Sequence, residues 1–220
     1  ELKNEISKDQ KILFIYGGGS IKNNGVYDQV KEALAGYDIT EFSGIEANPQ
    51  YSTCLKAVQV VKDNDIDFLL SVGGGSVLDA TKFIAAALCY DGDDAWALMS
   101  NWDQVTDALP LGCVLTLPAT GSESNPNTVI SRKETGEKLA LINTHLFPQF
   151  SILDPETTLT LPVRQIANGV VDAFVHTMEQ YMTYPVNAPL QDRYSESILS
   201  TLIEVGPKAL QNPQDYDTRA

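Results

Sequence analysis

Phe68-Leu69-Leu70-Ser71-Val72-Gly73-Gly74-Gly75-Ser76 is an apolar run that stops in three glycines and a serine. Five residues of this polarity suit a strand buried on both faces, and the glycines end it. Behind it, residues 77–88 recur with helical spacing and carry Asp79 and Lys82. Strand, glycine turn and helix in that order form the repeating unit of a parallel α/β sheet. The unit also has a chemistry. Glycines without Cβ atoms let a ligand approach the main chain, unpaired N–H groups of the first helical turn point outward, and Ser76 offers a cap or a hydroxyl. A phosphate suits such a place. A tight turn without a ligand explains a single Gly-Gly-Gly-Ser equally well.

A second copy raises the value of the first. Lys11-Ile-Leu-Phe-Ile-Tyr16 is a short strand that runs into Gly17-Gly18-Gly19-Ser20, with Lys22 two residues on and helical spacing over residues 26–34. Neither glycine run is a P-loop, since no Lys-Ser/Thr follows, and neither matches G-x-G-x-x-G. Two such turns at strand ends of one sheet are nonetheless where open α/β folds gather ligands. The loops are therefore expected to open on the same side of one mainly parallel sheet.

The rest of the first part alternates in the same way. Residues 39–42 read as a strand, and a helix capped by Ser52 or Thr53 runs to Val61. Residues 91–107 form an acidic excursion whose Trp96 and Trp102 pack it onto the body. Residues 113–117 are a strand leading into the hydroxyl-rich Pro118-Ala-Thr120-Gly-Ser-Glu-Ser124. Thr135-Gly136 marks a hairpin between residues 127–131 and 139–143, and residues 150–153 are a last strand. Beyond residue 160 there is helical periodicity and no strand. The expected organisation is thus an α/β domain over residues 1–160 and the start of an all-helical domain over residues 161–220.

The helical part opens on Asn168-Gly-Val-Val-Asp172-Ala-Phe-Val-His176-Thr-Met-Glu179, whose apolar density predicts a largely buried helix. Asp172 and His176 lie one turn apart on one face. Two readings stand for them: a hydrogen-bonded pair that orients a helix, or half of a divalent-metal site. Glu179 is offset along the axis and suits a packing role.

Composition narrows the partners. The 220 residues hold 15 basic and 29 acidic side chains, for a formal net charge of −14. The excess is spread over the whole chain, which disfavours nucleic acid and anionic membranes. Cys54, Cys89 and Cys113 have no metal-binding spacing and read as reduced thiols. With no leader and no long apolar run, a cytoplasmic location is the expectation.

Taken as an ordered set, Tyr16–Lys22, Ser71–Lys82, Thr116–Glu123 and Asp172–Glu179 resemble the iron-containing, or group III, alcohol dehydrogenase family. Within it the likeness is to the bacterial NADPH-dependent aldehyde reductase and butanol dehydrogenase branch. The resemblance implies a Rossmann-like cofactor domain and hydride transfer between NADP(H) and an aldehyde or primary alcohol. It assigns the cofactor pyrophosphate to Gly73, Gly74, Gly75 and Ser76, with Asp79 near the nicotinamide end. It assigns the adenine and ribose side to Thr116, Leu117 and Thr120, and the adenosine ribose to Gly17, Gly18, Gly19 and Ser20. NAD-preferring relatives carry an aspartate at the end of that first strand; glycine here, with Lys22 downstream, favours the 2′-phosphate of NADP(H). Asp172 and His176 would be the first two of four ligands to catalytic iron or zinc.

The family's other two ligands are histidines on later helices, whereas this chain holds only His145 and His176. His145 reads as a loop histidine. The metal site is therefore expected to be incomplete in this chain, which resembles an internal fragment and is expected to be inactive by itself. The expected partners are a small aldehyde or alcohol and, for the full-length protein, a second copy in a homodimer. A polyol or glycerol dehydrogenase, a dehydroquinate synthase relative and a nucleotide-binding fragment without chemistry are the competing readings.

Overall fold

A computed structural model describes residues 1–220. The chain is α/β: a five-stranded, all-parallel sheet in the order β2-β1-β3-β4-β7 is flanked by helices, and a two-stranded antiparallel hairpin lies beside it. The sheet strands are β1 (Lys11–Tyr16), β2 (Asp38–Phe42), β3 (Phe68–Gly74), β4 (Leu111–Leu117) and β7 (Ser151–Leu153). The hairpin is β5 (Asn127–Arg132) and β6 (Glu137–Ile142). Its connecting turn ends in Gly136, whose φ of +71° favours glycine.

Successive residues of the sheet strands serve opposite faces, and both faces are buried. Ile12, Phe14 and Tyr16 join Phe68, Leu70 and Val72 in one core with α1 (Leu2–Glu5), α2 (Ser20–Asn23) and α3 (Val26–Ala33). Leu13, Ile15 and Leu69 join the other core with α4 (Tyr51–Asn64) and α5 (Gly75–Leu88). This double burial is why β1 and β3 read as unbroken apolar runs. Trp96 is buried in a short 3-10 segment, where Arg132 lies over its ring and that of Tyr51, at 5.6 Å and 5.0 Å. Trp102 is 42% exposed, and its indole N–H donates to the Ala140 carbonyl at 3.1 Å.

The helical segment consists of α6 (Val163–Tyr181) and α7 (Pro189–Gln211). The two helices approach closely at Gly206, where a Cβ would stand 2.7 Å from Cγ1 of Val170. Contact clustering divides the chain into two compact units: residues 1–116 with 121–153, and residues 117–120 with 154–220. No helix is long and apolar enough to cross a membrane.

Two expectations are corrected. The helix over 168–179 is not largely buried: within α6 only Ile166 is buried, and Val171 and Val175 are 60% and 54% exposed. Apolar spacing identified a face that favours burial, and α7 packs on part of it. The start of α4 also differs from the expectation. Its N-cap is Gln50, with no side-chain cap bond, while Ser52 and Thr53 lie inside the first turn.

Candidate functional site

β1 and β3 are neighbours, and Tyr16 pairs with Val72 in register. The two glycine runs consequently leave adjacent strands at the same end of the sheet, about 4.8 Å apart by strand spacing. That is the juxtaposition expected from the sequence. At Gly73 a Cβ would stand 2.7 Å from Cγ2 of Val77, so β3 and the first turn of α5 meet at a distance no side chain permits. Gly74 is the N-cap of α5, without a side-chain cap bond, and Gly75 and Ser76 form its first turn. The first N–H groups of a 14-residue helix, with their partial positive charge, are thus directed at the strand end.

The Gly17 run is built differently. Gly19 has a φ of +98° and caps the four-residue α2, in which Ser20 is the first residue. Around Gly18 no atom would come within 4 Å of an added Cβ, so the loop surface is open. Lys22 lies over the rings of Tyr16 and Tyr27, 5.1 Å and 4.8 Å from their centroids. A hydrogen bond with Tyr16 raises its pKa above the ordinary lysine value. Glu41, near the end of β2, accepts from the Tyr27 hydroxyl at 2.8 Å, the Tyr16 hydroxyl at 3.2 Å and the Lys31 ammonium at 3.0 Å. Burial opposes its charge, but the bonds from Lys31 and Tyr27 hold its pKa below the usual value. Sequence reasoning missed this paired carboxylate. Its signal was the pairing of Lys31 with a strand-end glutamate.

Asp79 does not stand free at the site. Its Oδ1 accepts from the Ser122 hydroxyl at 2.7 Å and its Oδ2 from the Val129 N–H at 3.0 Å. Burial raises its pKa, with these bonds acting in the opposite direction. Thr116 is buried near the end of β4, and Leu117 is the last residue of that strand, with Thr120 three beyond it. Gly169 of α6 lies where a Cβ would meet the Pro118 carbonyl oxygen at 3.5 Å.

Asp172 and His176 project from one face of α6, with Nε2 of His176 3.7 Å from Oδ1 of Asp172. Both side chains are accessible, 55% for the histidine and 44% for the aspartate. One oxygen and one nitrogen in this relation suit a divalent metal. No group of three or more His, Cys, Asp or Glu side chains able to hold a metal occurs in the chain. The residues present therefore fit half of a tetrahedral donor set. His145 is exposed in a short 3-10 turn.

A paired glycine cradle on a parallel sheet, followed by a helix bearing Asp-x-x-x-His, matches known proteins throughout. Residues 1–155 match the family described as iron-containing alcohol dehydrogenase, and residues 166–220 match the C-terminal part of the Fe-containing alcohol dehydrogenase family. The chain belongs to the iron-containing alcohol dehydrogenase family. It is 58% identical over its whole length to the NADPH-dependent aldehyde reductase YqhD of Escherichia coli, covering 57% of that protein. It is 49% identical to the probable NADH-dependent butanol dehydrogenase 2 of Bacillus subtilis, again covering all of this chain and 57% of the relative. The crystal structure of E. coli YqhD superposes with a TM-score of 0.97 over 99% of this chain and 56% of that one, at 57% identity. The NADH-dependent butanol dehydrogenase A of Thermotoga maritima gives 0.94 at 39% identity, over all of this chain and 56% of that one. The chain thus spans just over half the length of these relatives.

Proposed function

We propose that these 220 residues are the cofactor-binding part and the first metal-binding helices of an NADP(H)-dependent oxidoreductase that interconverts an aldehyde and a primary alcohol. The carrying observation is the in-register pairing of Tyr16 with Val72, which sets the Gly17–Ser20 and Gly73–Ser76 loops side by side. Gly73, Gly74, Gly75 and Ser76 hold the pyrophosphate on the first turn of α5, and Asp79 fixes the nicotinamide end through the segment it anchors. Thr116, Leu117 and Thr120 serve the adenine and ribose side. Gly17, Gly18, Gly19 and Ser20 take the adenosine ribose. The strand end carries no free carboxylate there, Glu41 is ion-paired with Lys31 and hydrogen-bonded by Tyr16 and Tyr27, and Lys22 supplies a cation; this combination favours a 2′-phosphate. Names among the relatives point both ways, since YqhD is NADPH-dependent and the butanol dehydrogenases are NADH-dependent. The local charges support the NADP(H) reading.

Asp172 and His176 would hold one side of a divalent ion, iron or zinc. Such an ion supplies Lewis-acid polarisation of a carbonyl oxygen. Because the chain itself offers two donors, the 220 residues alone are proposed to bind cofactor without turnover. The test is direct: cofactor binding by this chain, and aldehyde reduction by the longer protein with and without His176→Ala. Loss of reduction with cofactor binding retained is the expected result. Full activity in the His176→Ala protein would refute the metal assignment. A cytoplasmic location and a homodimer of the longer protein complete the proposal.

A further inference from the structure

α5 contains one charged side chain that none of the assignments above uses. Lys82 is fully buried, with 0% exposure, in a helix whose other residues past Asp79 are Ala, Thr, Phe, Ile and Leu. A buried ammonium is costly unless its donors are satisfied. Here they are. Lys82 Nζ lies 2.6 Å from the Ser122 carbonyl oxygen, 2.9 Å from Ser122 Oγ, 2.7 Å from the Asn125 carbonyl oxygen and 2.9 Å from that of Asn127. Asn125 Oδ1 stands further off at 3.4 Å. The oxygens gathered around one cationic nitrogen come from a six-residue segment some forty positions downstream.

The same segment is tied to α5 a second time through Asp79. The Ser122 hydroxyl, bonded to Lys82, donates to Asp79 Oδ1; the Val129 N–H donates to Asp79 Oδ2, and the Thr128 hydroxyl to the Asp79 carbonyl oxygen at 2.7 Å. Asp79 and Lys82, three apart on one helix face, share Ser122 and between them hold residues 122–129, Lys82 through Asn125 and Asn127 and Asp79 through Thr128 and Val129. The helix they sit on begins at Gly75-Ser76.

We propose that Lys82 is a positioning residue for the cofactor: its ammonium draws residues 122–127 onto α5 and so fixes the pyrophosphate and nicotinamide side of the site in one rigid piece. This rests on the cofactor reading given above. With its ammonium buried and engaged by residues 122–127, Lys82 acts through the segment it holds. Charge-assisted bonds to carbonyl oxygens are stronger than neutral ones, so an isosteric neutral side chain leaves the main-chain oxygens without their donor.

The test uses the full chain and its Lys82→Met variant, in two arms. Hydrogen exchange of residues 121–129 is expected to rise about tenfold in the variant, the loss of a charged hydrogen bond or more. NADPH affinity is expected to fall by a similar factor of about ten, while adenosine 2′,5′-bisphosphate, a probe of the adenosine end at the Gly17 loop, keeps its affinity within roughly twofold. A general loss of fold would weaken both ligands together. Unchanged exchange, or faster exchange with unchanged NADPH affinity, overturns the positioning role. If Lys82→Met does not fold, Ser122→Ala removes the hydroxyl shared by Lys82 and Asp79 and must shift both arms in the same direction. A parent chain that binds neither ligand refutes the cofactor reading, whereas the exchange arm still reports whether Lys82 holds the segment.

Discussion

Tyr16 and Val72 are register partners on adjacent parallel strands, and each is the last large apolar residue before a run of three glycines. One ladder therefore places the two glycine loops next to each other. The chain between them, with α3, β2 and α4, is a crossover that brings the second strand back beside the first.

Gly18 gives the cleanest probe of cofactor choice. The space about it is open, so Gly18→Asp introduces a carboxylate without a steric conflict. NADPH affinity should fall at least about tenfold more than NADH affinity, a difference of roughly 1.4 kcal/mol. Calorimetric titration of both cofactors measures it. Equal losses would show that the 2′-phosphate lies elsewhere. Gly17 is a poorer choice, because its Cβ would stand 3.2 Å from the Ile45 carbonyl oxygen.

Gly73→Ala should destabilise the fold itself, because the new methyl would sit 2.7 Å from Cγ2 of Val77. Overpacking of this kind costs about 1–3 kcal/mol. Adding Val77→Ala should recover part of that loss. Urea unfolding of the single and double variants checks the coupling, and additive losses would contradict it.

Burial lowers the Lys82 pKa to about 8 from an ordinary 10.5, against the opposing field of Asp79. Between those values the unfolded chain binds a proton that the folded chain has released. The contribution of this group to stability is then smallest below about pH 8 and rises with pH toward 10.5, by at most about 1.4 kcal/mol per unit. Cys54 acts oppositely, since burial raises its thiol pKa. The difference in unfolding free energy between the parent and Lys82→Met isolates the lysine. That difference should grow in the parent's favour from pH 8 to pH 10, and a flat difference would contradict the depressed pKa.

Much of this architecture is legible in the sequence. β1 is bounded correctly because the five apolar residues after Lys11 run directly into the glycines. The hairpin followed from Thr135-Gly136. What the sequence obscured has physical causes. Periodicity reveals that α6 has an apolar stripe but not what covers it, so Val171 and Val175 were expected inside and lie outside. The start of α4 lacks a side-chain cap and left no signal at Gln50. The partners of Lys82 lie forty or more residues away, beyond any local pattern, although a lone lysine in so apolar a helix was itself the clue.

The metal half-site makes a separate prediction. With two accessible donors 3.7 Å apart, the chain should retain no stoichiometric iron or zinc after dialysis. Elemental analysis decides it. One ion per chain, lost on His176→Ala, would show that another group completes the site.

The central claim is that the two glycine loops form one NADP(H) cradle, and equilibrium titration of the chain with NADPH and then NADH tests it most directly. The expected result is saturable binding of one NADPH per chain, with NADH weaker by about tenfold or more. Absence of NADPH binding, or equal affinity for the two cofactors, would contradict the account.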